Sequence, residues 1–226
     1  MTRGRAGSAM ALMMVSATGI GCFDVRSIDA GPPVLDDFED GNLTPSLSPF
    51  NNWSCQQFSP EVDLDCAITP GFDSAFSLSA SFTIIDPPDA IQQHGGIMMM
   101  TFADSPIDLT GFSAITFAVR LTSATTPFPS NALMHLDLQC STAISDTGAQ
   151  LTDFSVVQGL PFSADWSTVS LAISNFGPAP WRTDHIQGGA PACLRAVDGF
   201  LFVFDAAIPD GQMGGGVFSI DNVRLQ

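Results

Sequence analysis

The sequence predicts an all-β fold, an antiparallel sandwich or barrel. Three observations carry this. Eight stretches rich in Val, Ile, Phe, Thr or Met follow one another along the chain. Most alternate apolar and polar residues with a period of two. Clusters of Gly, Pro, Asn, Asp and Ser separate them, and no stretch holds a helical period over three turns.

The expected strands are Val34–Glu39, Ala75–Ile84, Gly96–Ala103, Ala114–Thr122, Ala132–Cys140, Trp166–Ile173, Val197–Asp205 and Val217–Leu225. Alternation also sorts their faces. Ile115, Phe117, Val119 and Leu121 share one side, opposite Thr116, Ala118 and Arg120. Met134, Leu136 and Leu138 oppose His135, Asp137 and Gln139; Val169, Leu171 and Ile173 oppose Trp166, Thr168 and Ser170. Each strand thus has a core face and a polar face. If these strands are neighbours, Arg120, His135, Asp137, Gln139 and Trp166 merge into one surface.

Composition narrows the function. The chain has 226 residues, 7 Lys+Arg, all of them Arg, against 23 Asp+Glu, and a formal charge of -16. With so few cations, the composition argues against nucleic acid and disfavours an anionic membrane surface as partner. Apolar residues make up 45% and charged residues only 13%, which argues against an acidic disordered tail.

Residues 1–22 read as an export signal. Arg3 and Arg5 precede the apolar run Ala9–Ala17, which is too short to span a bilayer. Small residues then lead to Cys22, an arrangement that resembles a bacterial lipoprotein signal, in which the Cys is lipidated. The expected location is the cell envelope, with a lipid on Cys22 as the membrane contact; plain secretion is the alternative. Residues 23–33 form a short tether ending in Gly31-Pro32-Pro33, and residues 34–226 form one domain. Loss of residues 1–21 removes two Arg and no acid, taking the formal charge to -18.

Without Cys22, four cysteines remain: Cys55, Cys66, Cys140 and Cys193. An even set in an oxidising compartment predicts disulfides, with three connectivities open. Proximity in sequence favours Cys55–Cys66 and Cys140–Cys193. No CxxC or HxxxH spacing supports a zinc site.

Five pieces then occur in order: Leu35–Gly41 (LDDFEDG), Ile107–Phe117 (IDLTGFSAITF), Asp165–Leu171 (DWSTVSL), the passage from Phe176 to Trp181 followed by Val197–Phe200 (VDGF), and Phe218–Leu225 (FSIDNVRL). The ordered set, over roughly residues 35–226, resembles the galactose-binding-like jelly rolls. It is most similar to family 11 carbohydrate-binding modules and the related domains of bacterial lipoproteins. The resemblance implies a two-sheet antiparallel β-sandwich, non-catalytic binding of a polysaccharide or other glycan, and a structural calcium near the chain ends.

Sugars stack their C–H faces on aromatic rings while amides, carboxylates and Arg bond the hydroxyls. The expected ligand-binding residues are therefore Trp181, Trp166, Arg120, His135, Asp137, Gln139 and Arg182. Trp53, beside Cys55, is a weaker candidate. A bland reading stands beside this one, with Arg120 and Asp137 as a cross-strand pair and each Trp packed against loops. For calcium, which takes hard oxygens, Asp37, Glu39 and Asp221 are the candidates, with solvated turn carboxylates as the alternative. The chain lacks GxSxG, HExxH, SxxK and a phosphate-cradling glycine loop, so a binding protein rather than an enzyme is expected. The absence of Tyr, and Ala118 beside Phe117, favour a rival on the same fold: a protein-interaction or scaffold module without sugar binding.

Overall fold

Period-two alternation sets the architecture. In a computed structural model describing residues 33–57, 62–85, 93–123, 132–141, 143–148, 150–151, 155–161, 163–181, 185–208 and 213–226, strand is the dominant regular structure. The expected signal, Cys22 and all of the tether but Pro33 lie outside the described residues. In chain order the strands are β1 (Val34–Asp36), β2 (Ser54–Gln57), β3 (Val62–Thr69), β4 (Ser77–Ile85), β5 (Gln93–Ile107), β6 (Ala114–Ser123), β7 (Leu133–Gln139), β8 (Ala143–Ile144), β9 (Gln150–Leu151), β10 (Ser155–Gly159), β11 (Ser167–Ala172), β12 (Gly177–Pro178), β13 (Val197–Ile208) and β14 (Met213–Leu225). A short helix, α1 (Gly189–Leu194), precedes β13.

Two antiparallel sheets result. The first has the order β11-β6-β14-β4-β3, with β1 also on β14; the second has the order β12-β10-β7-β13-β5-β2. Strands β8 and β9 form a small separate ribbon. The fold is the expected two-sheet antiparallel sandwich.

The core lies between the sheets. Ile115, Phe117, Val119 and Leu121 of β6 are buried on the inner side, as are Phe200, Phe202 and Phe204 of β13 and Met134, Leu136 and Leu138 of β7. Rings interlock across the gap: Phe117 meets Phe202 edge-on at 5.0 Å between centroids, and Phe82 lies 5.0 Å from Phe204. Each such ring contributes about 1.5–3 kcal/mol by burial, with about 0.5–1.5 more for an edge contact.

Trp53 belongs to this core. It is buried between Phe38 and Phe202, and its indole N–H donates to Asp36 Oδ2 at 2.8 Å. Burial pushes the Asp36 carboxyl up to about 6, against the pull of the Phe38 N–H and the Trp53 indole.

Both favoured disulfides are present. Cys55 on β2 joins Cys66 on β3, so the bond clips the edge of one sheet to the edge of the other. Cys140, at the end of β7, is tied to Cys193 on α1.

Strand β3 was not among the expected strands. Its inward residues Val62, Leu64, Cys66 and Ile68 alternate with Asp63, Asp65, Ala67 and Thr69. Asp is depleted in strands, and that masks the pattern. The expected first strand stops at Asp36, where the carboxylate accepts the Phe38 N–H and Phe38 turns to φ 56°.

Candidate functional site

Strands β6 and β7 lie in opposite sheets, so the single polar surface expected from the sequence is two surfaces. Arg120 and Trp166 face outward from the first sheet. His135, Asp137 and Gln139 face outward from the second. Alternation assigns a side chain to one side of its strand; it does not say which sheet the strand joins. An Arg120–Asp137 pair is excluded by the same topology.

The outer face of the first sheet is closed by its own side chains. The Arg120 guanidinium lies 4.7 Å from the Trp166 ring, and Phe72 packs on that ring at 6.0 Å. Arg120 Nε donates to Ser219 Oγ at 3.5 Å. Ser219 shares a 2.7 Å hydrogen bond with Ser79, which shares another of 2.7 Å with Thr69. Ser79 and Ser219 are buried although they point away from the core.

The second sheet is different. Pairing register sets Met98, Val203 and His135 side by side on β5, β13 and β7, with Asp205 beside Leu133 one step along. These five residues, with Asp137 and Trp181, line a cavity of about 300 Å³. The floor is aliphatic and one end is polar. Val203 is almost fully buried, whereas Leu133 is 53% exposed and Trp181 55% exposed.

The Trp181 ring is delivered by an edge. β12 pairs with β10 through Gly177 and Pro178, and an edge strand tolerates the missing proline N–H. Ala179 is then buried, and Trp181 follows with its ring 5.1 Å from the His135 imidazole. His135 Nε2 lies 3.2 Å from Asp137 Oδ1. Burial pushes the His135 pKa down to about 4, so the imidazole is neutral at physiological pH and offers one donor and one acceptor. Gln139 lies further along β7, beside Gly199, where any Cβ would come within 3.0 Å of Gln139 Cβ and 2.8 Å of the Phe102 ring.

An aliphatic floor, an exposed indole and a polar end form a concave site of the kind that takes a small organic ligand. No protein-family model and no curated protein matches the chain. Among solved structures it is similar to the family 11 carbohydrate-binding module of a cellulosomal cellulase of Clostridium thermocellum. Identity is 19%, over 86% of this chain and 94% of that one, with a TM-score of 0.53. The family 11 module from the same organism, in complex with a β-1,3-1,4-mixed-linked tetrasaccharide, gives 20% identity over 86% and 95%, again with a TM-score of 0.53. The chain has the fold of the family 11 carbohydrate-binding modules.

On this carbohydrate-binding-module fold, the structure brings His135, Asp137 and Trp181 together and leaves Arg120 and Trp166 on the far side. Arg182 lies outside the described residues. One of the three indoles is strongly exposed beside the cavity, one is partly covered on the opposite face and one is in the core. Sequence reasoning missed Met98, Leu133 and Val203 as cavity residues, and placed Asp205 at the end of an expected strand without a role in the site. On β13 both sides are apolar, Phe200, Phe202 and Phe204 against Leu201 and Val203, so alternation could not tell which side is outward. The position of Asp205, in phase with Leu201 and Val203, was the available signal.

At the chain ends, Asp221 is fully buried and accepts hydrogen bonds from Ser74 Oγ at 2.6 Å, the Phe72 N–H at 2.8 Å and the Asn222 N–H at 2.7 Å. Burial raises its pKa, and the nearby negative charge of Glu39 adds to the rise, against those hydrogen bonds. Glu39 accepts the Ala75 N–H at 3.1 Å, and Asp37 accepts the Glu39 N–H at 3.4 Å. Among the described residues no three His, Cys, Asp or Glu groups converge as a metal set. Other hard oxygens are present, however. Ser74 Oγ lies 3.0 Å from the Phe76 carbonyl oxygen, and Gly71 leaves open the space where a Cβ would strike Ser74, Phe76 and Asp221.

Proposed function

We propose that the chain binds a neutral polysaccharide, without cleaving it, on the outer face of the second sheet. The observation that carries this reading is the Trp181 indole, 55% exposed at the mouth of a cavity with an aliphatic floor and a His135–Asp137 end. A sugar ring lays its C–H face on the indole, and its hydroxyls reach His135, Asp137 and Asp205. A formal charge of -16 disfavours uronate-rich glycans by simple repulsion. Likeness to modules that bind sugar supports the class of ligand, and a β-1,3-1,4-linked glucan is the first probe to use.

The test is affinity electrophoresis of residues 23–226 in gels cast with β-1,3-1,4-glucan and a panel of other neutral polysaccharides. Retardation that disappears in Trp181→Ala is the expected result. No retardation in any gel, with or without calcium, overturns the reading.

The same proposal includes export and a lipid on Cys22, supported by the Arg3/Arg5, apolar-run and Cys22 pattern. Mass spectrometry of the mature N-terminus checks it. It also includes a structural calcium held by Glu39 and Asp221 with the Ser74 hydroxyl and the Phe76 carbonyl, a set of hard oxygens that fits the ion; Asp37, turned to the Glu39 N–H, is the outlying member of the expected set. Calcium at a hundred times its Kd would stabilise the fold by about 2.7 kcal/mol. A thermal midpoint unchanged by calcium or by chelator would contradict this.

A further inference from the structure

We propose that Phe102 is a second stacking ring on this face, seated on Gly199 at the far end of the aliphatic floor, so that the ligand is a run of sugar residues held at two points, by Trp181 and by Phe102. This rests on the sugar-binding reading above and adds a second contact, outside the cavity. Three features carry it.

First, pairing register lays out the outer face in rows. His135, Val203 and Met98 form one row, Asp137, Leu201 and Met100 the next, and Gln139, Gly199 and Phe102 the third. Residues directly across antiparallel strands share a face, and so do residues two apart along a strand. Phe102 is thus on the same outward face as the cavity residue Met98.

Second, the ring lies over a glycine. A Cβ on Gly199 would fall 2.8 Å from Phe102 Cε1 and 2.9 Å from Phe102 Cδ1. The ring therefore leans over β13, and the missing side chain gives it room. Gly199 is buried while Phe102 is half-buried, so part of the ring meets solvent. Gln139 flanks the same point, its Cβ 3.0 Å away, and brings an amide side chain to the same row. A ring over a strand glycine also steadies a sheet, and the experiment below separates that role from a binding one.

Third, the two rings are set apart. From Met98 to Phe102 is four residues of β5, about 13 Å at the rise of a strand. Trp181 leans on His135, in the row of Met98. One pyranose at Trp181 does not reach Phe102; a longer chain does. Leu201 and Met100 lie between as an apolar strip for the sugar C–H faces to cross.

The experiment is calorimetric titration of the wild-type protein and Phe102→Leu with β-1,3-1,4-linked gluco-oligosaccharides of two to six residues. Leu keeps an apolar cover over Gly199 and removes the ring. In wild type the hexasaccharide is expected to bind about tenfold tighter than the disaccharide. In Phe102→Leu that gain is expected to fall below about threefold, with disaccharide affinity within about twofold of wild type. A Phe102→Tyr variant, which restores a ring, should recover the gain. A wild-type gain below about threefold overturns the second contact while leaving sugar binding intact, and needs no variant to be read. A gain kept in full by Phe102→Leu also overturns it. An equal loss at every ligand length does so too, since that is the mark of a merely structural ring. No heat with any member of the series overturns the second contact together with the reading beneath it.

Discussion

On the first sheet Arg120, Ser219, Ser79 and Thr69 bond one another in a row across four strands, under a lid of Trp166 and Phe72. On the second sheet His135, Asp137 and Asp205 border an aliphatic floor beneath an exposed indole. Both faces grow from the same alternation and share one aromatic core. They differ in what their polar groups meet. Hydroxyls and a guanidinium that satisfy one another make a surface that stabilises the sheet. On the second sheet the polar groups sit at the rim of an apolar cavity, beside an exposed indole. A polar outer face is thus a stronger binding candidate where it borders a cavity than where rings cover it.

The largest expected effect strikes both faces at once. Phe202 touches Phe117 and Trp53 across the sandwich. Phe202→Ala should cost about 3–5 kcal/mol in urea unfolding, since the cavity it leaves is fully buried. A loss under 1 kcal/mol, on the order of a surface change, would mean that the faces do not share this core.

His135 gives the next effect, confined to the second sheet. Its folded pKa of about 4 lies below the ordinary value of 6.5. Above pH 6.5 the imidazole is neutral in both states and contributes no pH dependence. As pH falls from 6.5 to 4, the unfolded chain takes up a proton that the folded chain refuses, and stability is lost across that window. The size is about 3 kcal/mol at most. The stability margin of wild type over His135→Gln should therefore shrink by up to that amount between pH 7 and pH 4. A margin that stays constant would place His135 in water.

Trp166→Ala sharpens the contrast from the other side. It removes the Arg120 stack and the Phe72 contact and should cost about 1–2 kcal/mol of stability. Binding of glycan should not change. A loss of binding would move the functional face to the first sheet.

Much of this was legible in the sequence. The stripes of β6 and β7 were, because one side of each is apolar and the other polar. The Cys pairing followed sequence proximity. Assignment of β6 and β7 to opposite sheets was not legible, because alternation is local and sheet membership is set by pairing far along the chain. β13 hid its outward face because Leu201 and Val203 are as apolar as the inward phenylalanines. Of the site, Trp181 stood out as an indole in a Pro-rich loop, and His135 and Asp137 as polar members of one strand. Their meeting depends on the β12–β10 pairing, which two residues, Gly177 and Pro178, cannot advertise.

The smallest stability effect belongs to the residue on which the proposed binding rests. Trp181→Ala should change unfolding free energy by no more than about 0.5 kcal/mol, as expected for an exposed side chain. Affinity electrophoresis of wild type, Trp181→Ala and Trp166→Ala, side by side in gels of neutral polysaccharide, therefore tests the central claim most directly. Retardation kept by Trp166→Ala and lost by Trp181→Ala is the predicted result. Retardation kept by Trp181→Ala would contradict it.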